Sequence, residues 1–510
     1  MIGRRGRGAW RPTRRELLRA AAMAGAGITF AGPFAGGALA APTASYDDGS
    51  MSIPFGLVGE PERVIIVGAG WAGLTAANAL RNAGVDHVVL EGRDRIGGRA
   101  QTVDLDGVPV DLGCSWIHDP IGNPMTTFAD QAGIARRNAD HELDAATYRM
   151  WDARLDRELD PTEKVAALVN GATFSFTEAA GIAAELGASA SIYEGAQVYL
   201  DRHGLDGDAR RQAEFVIRSL SELSENYPWT KLSLDQAVHR DLLYTGGLGV
   251  WPVGGYQRLY QAMAGPEEVR LLHDVDAIDR SRDGVTVHAV VRGASGRRRV
   301  SFRGSHVIVA VPLGVLKSRR GIRFNPPLPS DKIGAIKRVG FGRIEKVAMR
   351  FDEAFWADAL HTHILNISSR PPFRLPLWVD VNRISGEPAL VVFSAGSDAK
   401  RIHALGARGA LNLTLAQLRD ILGHAIPRPR AWQVTNWQGS PYTQGGYTAT
   451  ALGASPDDFD ALAEPVDGRI LFCGEHTHRH RYAHADGAMT TGIREAKRLL
   501  RSVAVTLSAG

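Results

Sequence analysis

Cysteine is almost missing from this chain. Its 510 residues contain two, Cys114 and Cys473. A disulfide-stapled scaffold is therefore excluded, and a single bridge is the most the chain could form. Both cysteines follow or flank strand-like runs, which favours buried free thiols. Beyond residue 40 there is no run of eighteen strongly apolar residues, so no membrane-spanning helix is expected. No metalloprotease-type histidine motif and no cysteine cluster occur, and no metal is expected. A net basic excess is missing beyond residue 40 despite a formal net charge of +4, because the first forty residues hold seven arginines against Glu16 alone. The rest of the chain is near −2 and has no concentrated Lys/Arg patch, so nucleic acid is not an expected partner. Internal repeats are absent as well, and no long low-complexity linker follows about residue 50.

What is present begins with residues 1–40. They carry a basic lead, the pair Arg14-Arg15, a weakly apolar Ala/Gly-rich stretch and the end Ala38-Leu39-Ala40. That order reads as a signal peptide. The paired arginines and mild hydrophobicity resemble the twin-arginine export signal. The expectation is passage through that machinery, already folded, to the periplasm or the exterior. A basic tail or a membrane anchor is the plainer alternative. The remaining 470 or so residues, in a chain 44% apolar overall, suffice for a large core in two parts.

Residues 63–67, RVIIV, read as a strand, followed by Gly68-Ala69-Gly70-Trp71-Ala72-Gly73 and the helical run LTAANALRNAG. A second strand, HVVLE, ends at Glu91, eighteen residues beyond Gly73. Bare backbone at Gly68, Gly70 and Gly73 lets a pyrophosphate approach the helix N-terminus. A carboxylate at Glu91 can accept hydrogen bonds from a ribose diol. An ADP-containing cofactor is expected, and this motif alone does not separate nicotinamide from flavin.

The segment EGRDRIGGRAQTV, residues 91–103, resembles the second signature of the flavin amine oxidase superfamily. DLGCSWIHDPIGNP (111–124), VAVPLGVLK (309–317), VGFGRIEKVAMRFDEAFW (339–356) and GRILFCGEHTHRHRYAHADGAMTTGIREAKRLL (468–500) resemble later segments of the same family, in family order. The likeness spans about residues 61–505 and is nearest the polyamine oxidase and histone-demethylase-like branch. It implies an α/β and α+β fold, a Rossmann-like FAD-binding domain interleaved with a mixed-sheet and helical substrate domain. The expected FAD-binding segments are 61–129, 241–343 and 431–508. The substrate segments are 130–240, largely helical, and 344–430, with residues 41–60 as a linker.

The resemblance also implies roles. Glu91 would bind ribose, and Arg93, Arg95, Gly97, Gly98 and Arg99 would surround the diphosphate. Val275 would meet adenine through its backbone, Trp437 would pack near the flavin, and Gly474-Glu475 would approach the ribityl or phosphate region. Gly446 stands where monoamine oxidases carry a flavin-linked cysteine, so FAD is expected to be noncovalent. Lys346 matches the lysine that holds a water against the flavin. Lys317 lies in a basic turn and is expected to be solvated. Tyr447 matches one wall of an aromatic cage, where a ring face stabilises an approaching amine. His484 replaces the tyrosine of the opposite wall. His118, with Trp116 beneath it, matches a histidine that can bond a neutral amine or share its proton. Asp119, Glu222 and Glu225 are unassigned cation attractors.

The expected reaction is oxidation of a polyamine or related amine to an imine, hydrolysed to aldehyde plus amine, with oxygen reduced to hydrogen peroxide. An L-amino-acid oxidase would need an arginine clamp, for which Arg343 and Arg374 are available. A dehydrogenase with another acceptor and a flavin-retaining binding protein remain alternatives. Export and the lack of an inserted coiled-coil tower oppose histone demethylation.

Overall fold

In a computed structural model of the chain, residues 62–508 are described apart from 139–148, 153, 236–248, 266–268, 294–295, 357–362, 368–374 and 376. Residues 1–40, expected to be an export signal, the expected linker and Arg374 lie outside the described residues.

Val64–Val67 is a four-residue run of β-branched side chains, buried throughout. Such a run suits a parallel strand covered on both faces. It pairs in parallel with His87–Leu90 on one side and His306–Val309 on the other. Val269–Arg270 and Ile470–Phe472 extend the sheet to five strands. The helix Trp71–Asn82 makes the crossover between the first two strands. It meets the C-terminal helix Ala485–Ser508 closely, since a Cβ at Gly492 would lie 2.2 Å from the Ala72 carbonyl oxygen. His273–Ser281 and Gly284–Gly293 form a hairpin inside a four-stranded sheet with Gly296–Gly304 and Arg323–Asn325.

The second part is a seven-stranded sheet. Its order runs Ala431–Val434, Ile344–Arg350, Ala389–Ala395, Leu377–Asp380, His363–Ile367, Arg149–Asp152, Arg157–Glu158. Val347, Met349, Leu390 and Val392 face the helices that contribute Ile402, Leu411 and Leu418. Ala348, Val391 and Phe393 face the opposite way, onto Leu105, Val110 and Leu112 of the cofactor part. Both faces are covered, which is why burial does not alternate along Ile344–Arg350.

One expectation needs correcting. Residues 431–434, assigned to the last cofactor segment, pair instead with Val347–Arg350 in the seven-stranded sheet. The segment 130–240 is largely helical as expected, in Pro161–Thr173, Ala179–Leu186, Ile192–Arg202 and Gly207–Glu225, and its first part contributes the short strands Arg136–Asn138, Arg149–Asp152 and Arg157–Glu158. Capping boxes at Asp160 and Ser191 start two of the helices.

Candidate active site

The helix Trp71–Asn82 starts without a side-chain cap and without an acid in its first turn. Gly70, Trp71 and Ala72 line a cleft of about 350 Å³. Open first-turn N–H groups at the positive end of a helix make an anion site. Gly98 faces Gly70 backbone to backbone, and a Cβ there would lie 3.0 Å from the Gly70 Cα. Gly73 does not line the cleft. Its bare Cα lets the helix close on the preceding turn, for a Cβ would sit 1.9 Å from the Gly68 oxygen. Glu91 does line the cleft and accepts one backbone hydrogen bond on each oxygen, from Ala69 N at 2.8 Å and Arg93 N at 2.9 Å. Each oxygen keeps a second lone pair for a diol.

Arg93 donates to the Gly98 carbonyl and to Ser440 Oγ, and its guanidinium lies over the Trp437 and Tyr442 rings. Burial pushes its pKa down to about 10, where a bound diphosphate would restore it. Arg95 is a correction. It donates to the Ile96 and Gly98 carbonyls and to Gln101 Oε1, so it stiffens the turn instead of lining the cleft. Arg99, Gly97, Val275 and Trp437 all line it. Arg99 pairs with Glu475 at 2.8 Å and donates to the Gly446 carbonyl. Glu475 is buried, yet its pKa is lowered by the Arg99 charge and by the bonds it accepts from Arg99 and Ala483 N. Gly474, at φ 137°, makes the turn that brings it in.

Lys346 lies on the sheet face that meets the cofactor part, as strand alternation requires, and not at an edge. Its Nζ donates to the Asp111 carbonyl at 3.3 Å, the Gly113 carbonyl at 2.5 Å and Ser115 Oγ at 2.8 Å. It also stands 4.3 Å above the Phe393 ring. Burial lowers its pKa to about 8, against the opposing pull of the Asp111 carboxylate. Three protein acceptors occupy the three N–H bonds of an ammonium, so holding a water requires one of them to be released. Lys317 is a smaller correction: it is half-buried and donates to the Lys337 carbonyl.

The cage residues come together. Tyr447 OH donates to the Leu223 carbonyl at 2.7 Å, fixing its ring at the cleft wall. Asn226, which the sequence reading missed, ends a helix in the left-handed conformation at φ 46°. It brackets Tyr447 by donating to its carbonyl and accepting from its N–H. Trp116, His118 and His484 also line the cleft, and the two imidazoles lie 5.2 Å apart. Behind them Arg481 joins Asp119 at 2.9 Å and Asp486 at 2.8 Å, all three buried. Asp119 is thus an ion-pair partner. Glu222 binds Arg218 and Trp229 N, and Glu225 accepts from Thr450 N, so neither attracts substrate from the cleft wall. Arg343 is exposed and off the cleft. Tyr482 packs on Phe459 in the core, away from the cage. Both cysteines are free; Cys473 is buried, whereas Cys114 is half-buried at the cleft.

A parallel-sheet dinucleotide fold with an uncapped helix, a diol-binding carboxylate and an adjoining aromatic pocket defines a nucleotide-cofactor oxidoreductase architecture. The family model described as flavin containing amine oxidoreductase matches residues 71–500. The chain belongs to that family, and its cofactor is FAD. Lysine-specific histone demethylase 1 homolog 3 of Oryza sativa subsp. indica is 35% identical over 457 residues, 86% of this chain and 54% of that protein. Probable polyamine oxidase 4 of Arabidopsis thaliana is 30% identical over 458 residues, 88% of each. The chain spans about half the length of the demethylase-like relatives it matches. Wild-type putrescine oxidase with bound putrescine superposes with a TM-score of 0.66 at 24% identity, covering 87% of this chain and all of that one, a likeness of fold.

Proposed function

We propose that the chain oxidises the C–N bond of a polyamine or related amine, with oxygen as electron acceptor and hydrogen peroxide as product. FAD would accept the hydride equivalent from the carbon beside the nitrogen. The observation that carries the reading is the juxtaposition, in one cleft, of buried Lys346 with the Tyr447 ring and the Trp116–His118–His484 group. Lys346 places positive charge where oxygen reduction gains from it, and Tyr447 orients an amine against a fixed ring face. Gly446 supports noncovalent FAD. A Cβ there would lie 2.7 Å from Asn226 Oδ1 and 2.9 Å from Ile344 Cγ2, so the site is built around bare backbone. Of the two arginines considered for a carboxylate clamp, the described one, Arg343, is exposed and off the cleft, and so lends an L-amino-acid oxidase no support. Export by the twin-arginine route, after FAD insertion, remains part of the proposal on the strength of residues 1–40.

The test is peroxide release from spermine, spermidine, putrescine, simple monoamines and L-amino acids. Polyamine turnover without amino-acid turnover is expected. A preference for an L-amino acid overturns the reading, and reduction that proceeds only with an artificial acceptor replaces oxygen in it.

A further inference from the structure

We infer that His484, and not His118, takes up the proton that an incoming ammonium must lose, and that Trp116 decides between them. The inference rests on the amine reading above. Both rings line the cleft, 5.2 Å apart and 77° between planes. Their hydrogen bonds run in opposite senses. An indole N–H can only donate. Trp116 Nε1 donates to His118 Nδ1 at 3.1 Å, so that nitrogen presents a lone pair and the ring proton sits on Nε2. A second proton would set two N–H groups against each other. This bond favours the neutral ring at His118.

His484 is arranged the other way. Its Nδ1 lies 2.8 Å from the Tyr482 carbonyl oxygen, which can only accept. The proton of the neutral ring belongs on Nδ1, and Nε2 is the basic atom. Protonation at Nε2 keeps the Tyr482 bond and strengthens it, since a charged donor bonds more tightly. Charged groups near it include Asp486 at the start of the helix that follows it, Asp119 and Arg481 behind His118, the Glu475–Arg99 pair and, in the same cleft, Lys346. These charges balance, so the sense of the hydrogen bonds decides between the two rings. His476, beside Glu475, is pushed down to about 4 by burial and adds no positive charge.

The step is a proton transfer. An N–H bond of the substrate ammonium breaks and an N–H bond forms at His484 Nε2. The electron pair left on nitrogen then supports loss of hydride from the adjacent carbon. The proton passes to solvent after the product leaves.

Histidine-selective nitrogen-15 labelling of the FAD-loaded protein reads both rings without turnover. Long-range proton–nitrogen spectra, assigned with His118→Gln and His484→Gln, are followed across the range where imidazoles titrate, about pH 5 to 8. His118 Nδ1 is expected to keep the signature of a bare nitrogen throughout, while His484 gains a second proton. In Trp116→Phe, His118 is expected to begin titrating. In the kinetic arm, His484→Gln should lose roughly 10²-fold or more in kcat/KM near neutrality. It should recover above the substrate's own pKa, where the amine arrives neutral. His118→Gln should keep the wild-type ionisation in the profile. Titration of His118 with Trp116 in place overturns the inference, as does an unchanged ionisation in His484→Gln. If the wild-type protein oxidises no amine, the functional reading fails, and the spectra still decide which ring can be protonated.

Discussion

At the residue scale the site depends on Lys346, whose pKa burial lowers to about 8. Below about pH 8 it is an ammonium with every N–H engaged, and above that it is a neutral amine. A positive charge favours electron transfer to oxygen, so the oxygen reaction should slow as pH rises through about 8. Stopped-flow reoxidation of reduced protein checks this. In Lys346→Met the reaction should be slow and flat with pH, with FAD still bound. Gly446 gives a second residue-scale prediction: acid precipitation should release all the yellow cofactor into the supernatant. Glu91 and Lys346 were legible in the sequence, one at the end of a strand and the other inside an apolar run. Arg95 was misread because its partners, the Gly98 carbonyl and Gln101, are choices that only a folded turn makes.

At the scale of elements, the His118 loop and the start of the C-terminal helix are joined by Arg481. Its two carboxylate partners are buried, so removal of the arginine strands two negative charges. Arg481→Met is expected to destabilise the protein by about 3–5 kcal/mol. Denaturant unfolding of the FAD-loaded protein measures the loss, and Arg481→Lys should recover part of it. This arrangement could not be read from the sequence. Asp119 and Arg481 are 362 positions apart, and nothing local at either position signals the other. Asn226 was missed for the same reason, since its contacts with Tyr447 span 221 positions. The βαβ unit was legible because its signals are short-range: glycine spacing and β-branched runs.

At the scale of the molecule, the cleft is walled by strands of the five-, four- and seven-stranded sheets, and its lining runs from Val67 to Ala488. A ligand bound only by the folded state stabilises it, by about 2.7 kcal/mol at a hundredfold excess over Kd. Thermal melting of FAD-stripped protein should therefore shift upward as FAD is added back, and an unchanged midpoint would contradict the cofactor site. The division into interleaved parts was legible from the order of motifs, but the seven-stranded sheet's edge at residues 431–434 was not, because AWQV carries no mark of which sheet receives it. The sheet that cradles the dinucleotide opens with residue 64 and closes with residue 472, and Glu475 and His484 come later still. During synthesis, one wall of the nest is thus made after every other strand of its sheet. A half-made chain that stops short of residue 472 has nowhere to keep its prosthetic group, and loading must wait until that strand has emerged.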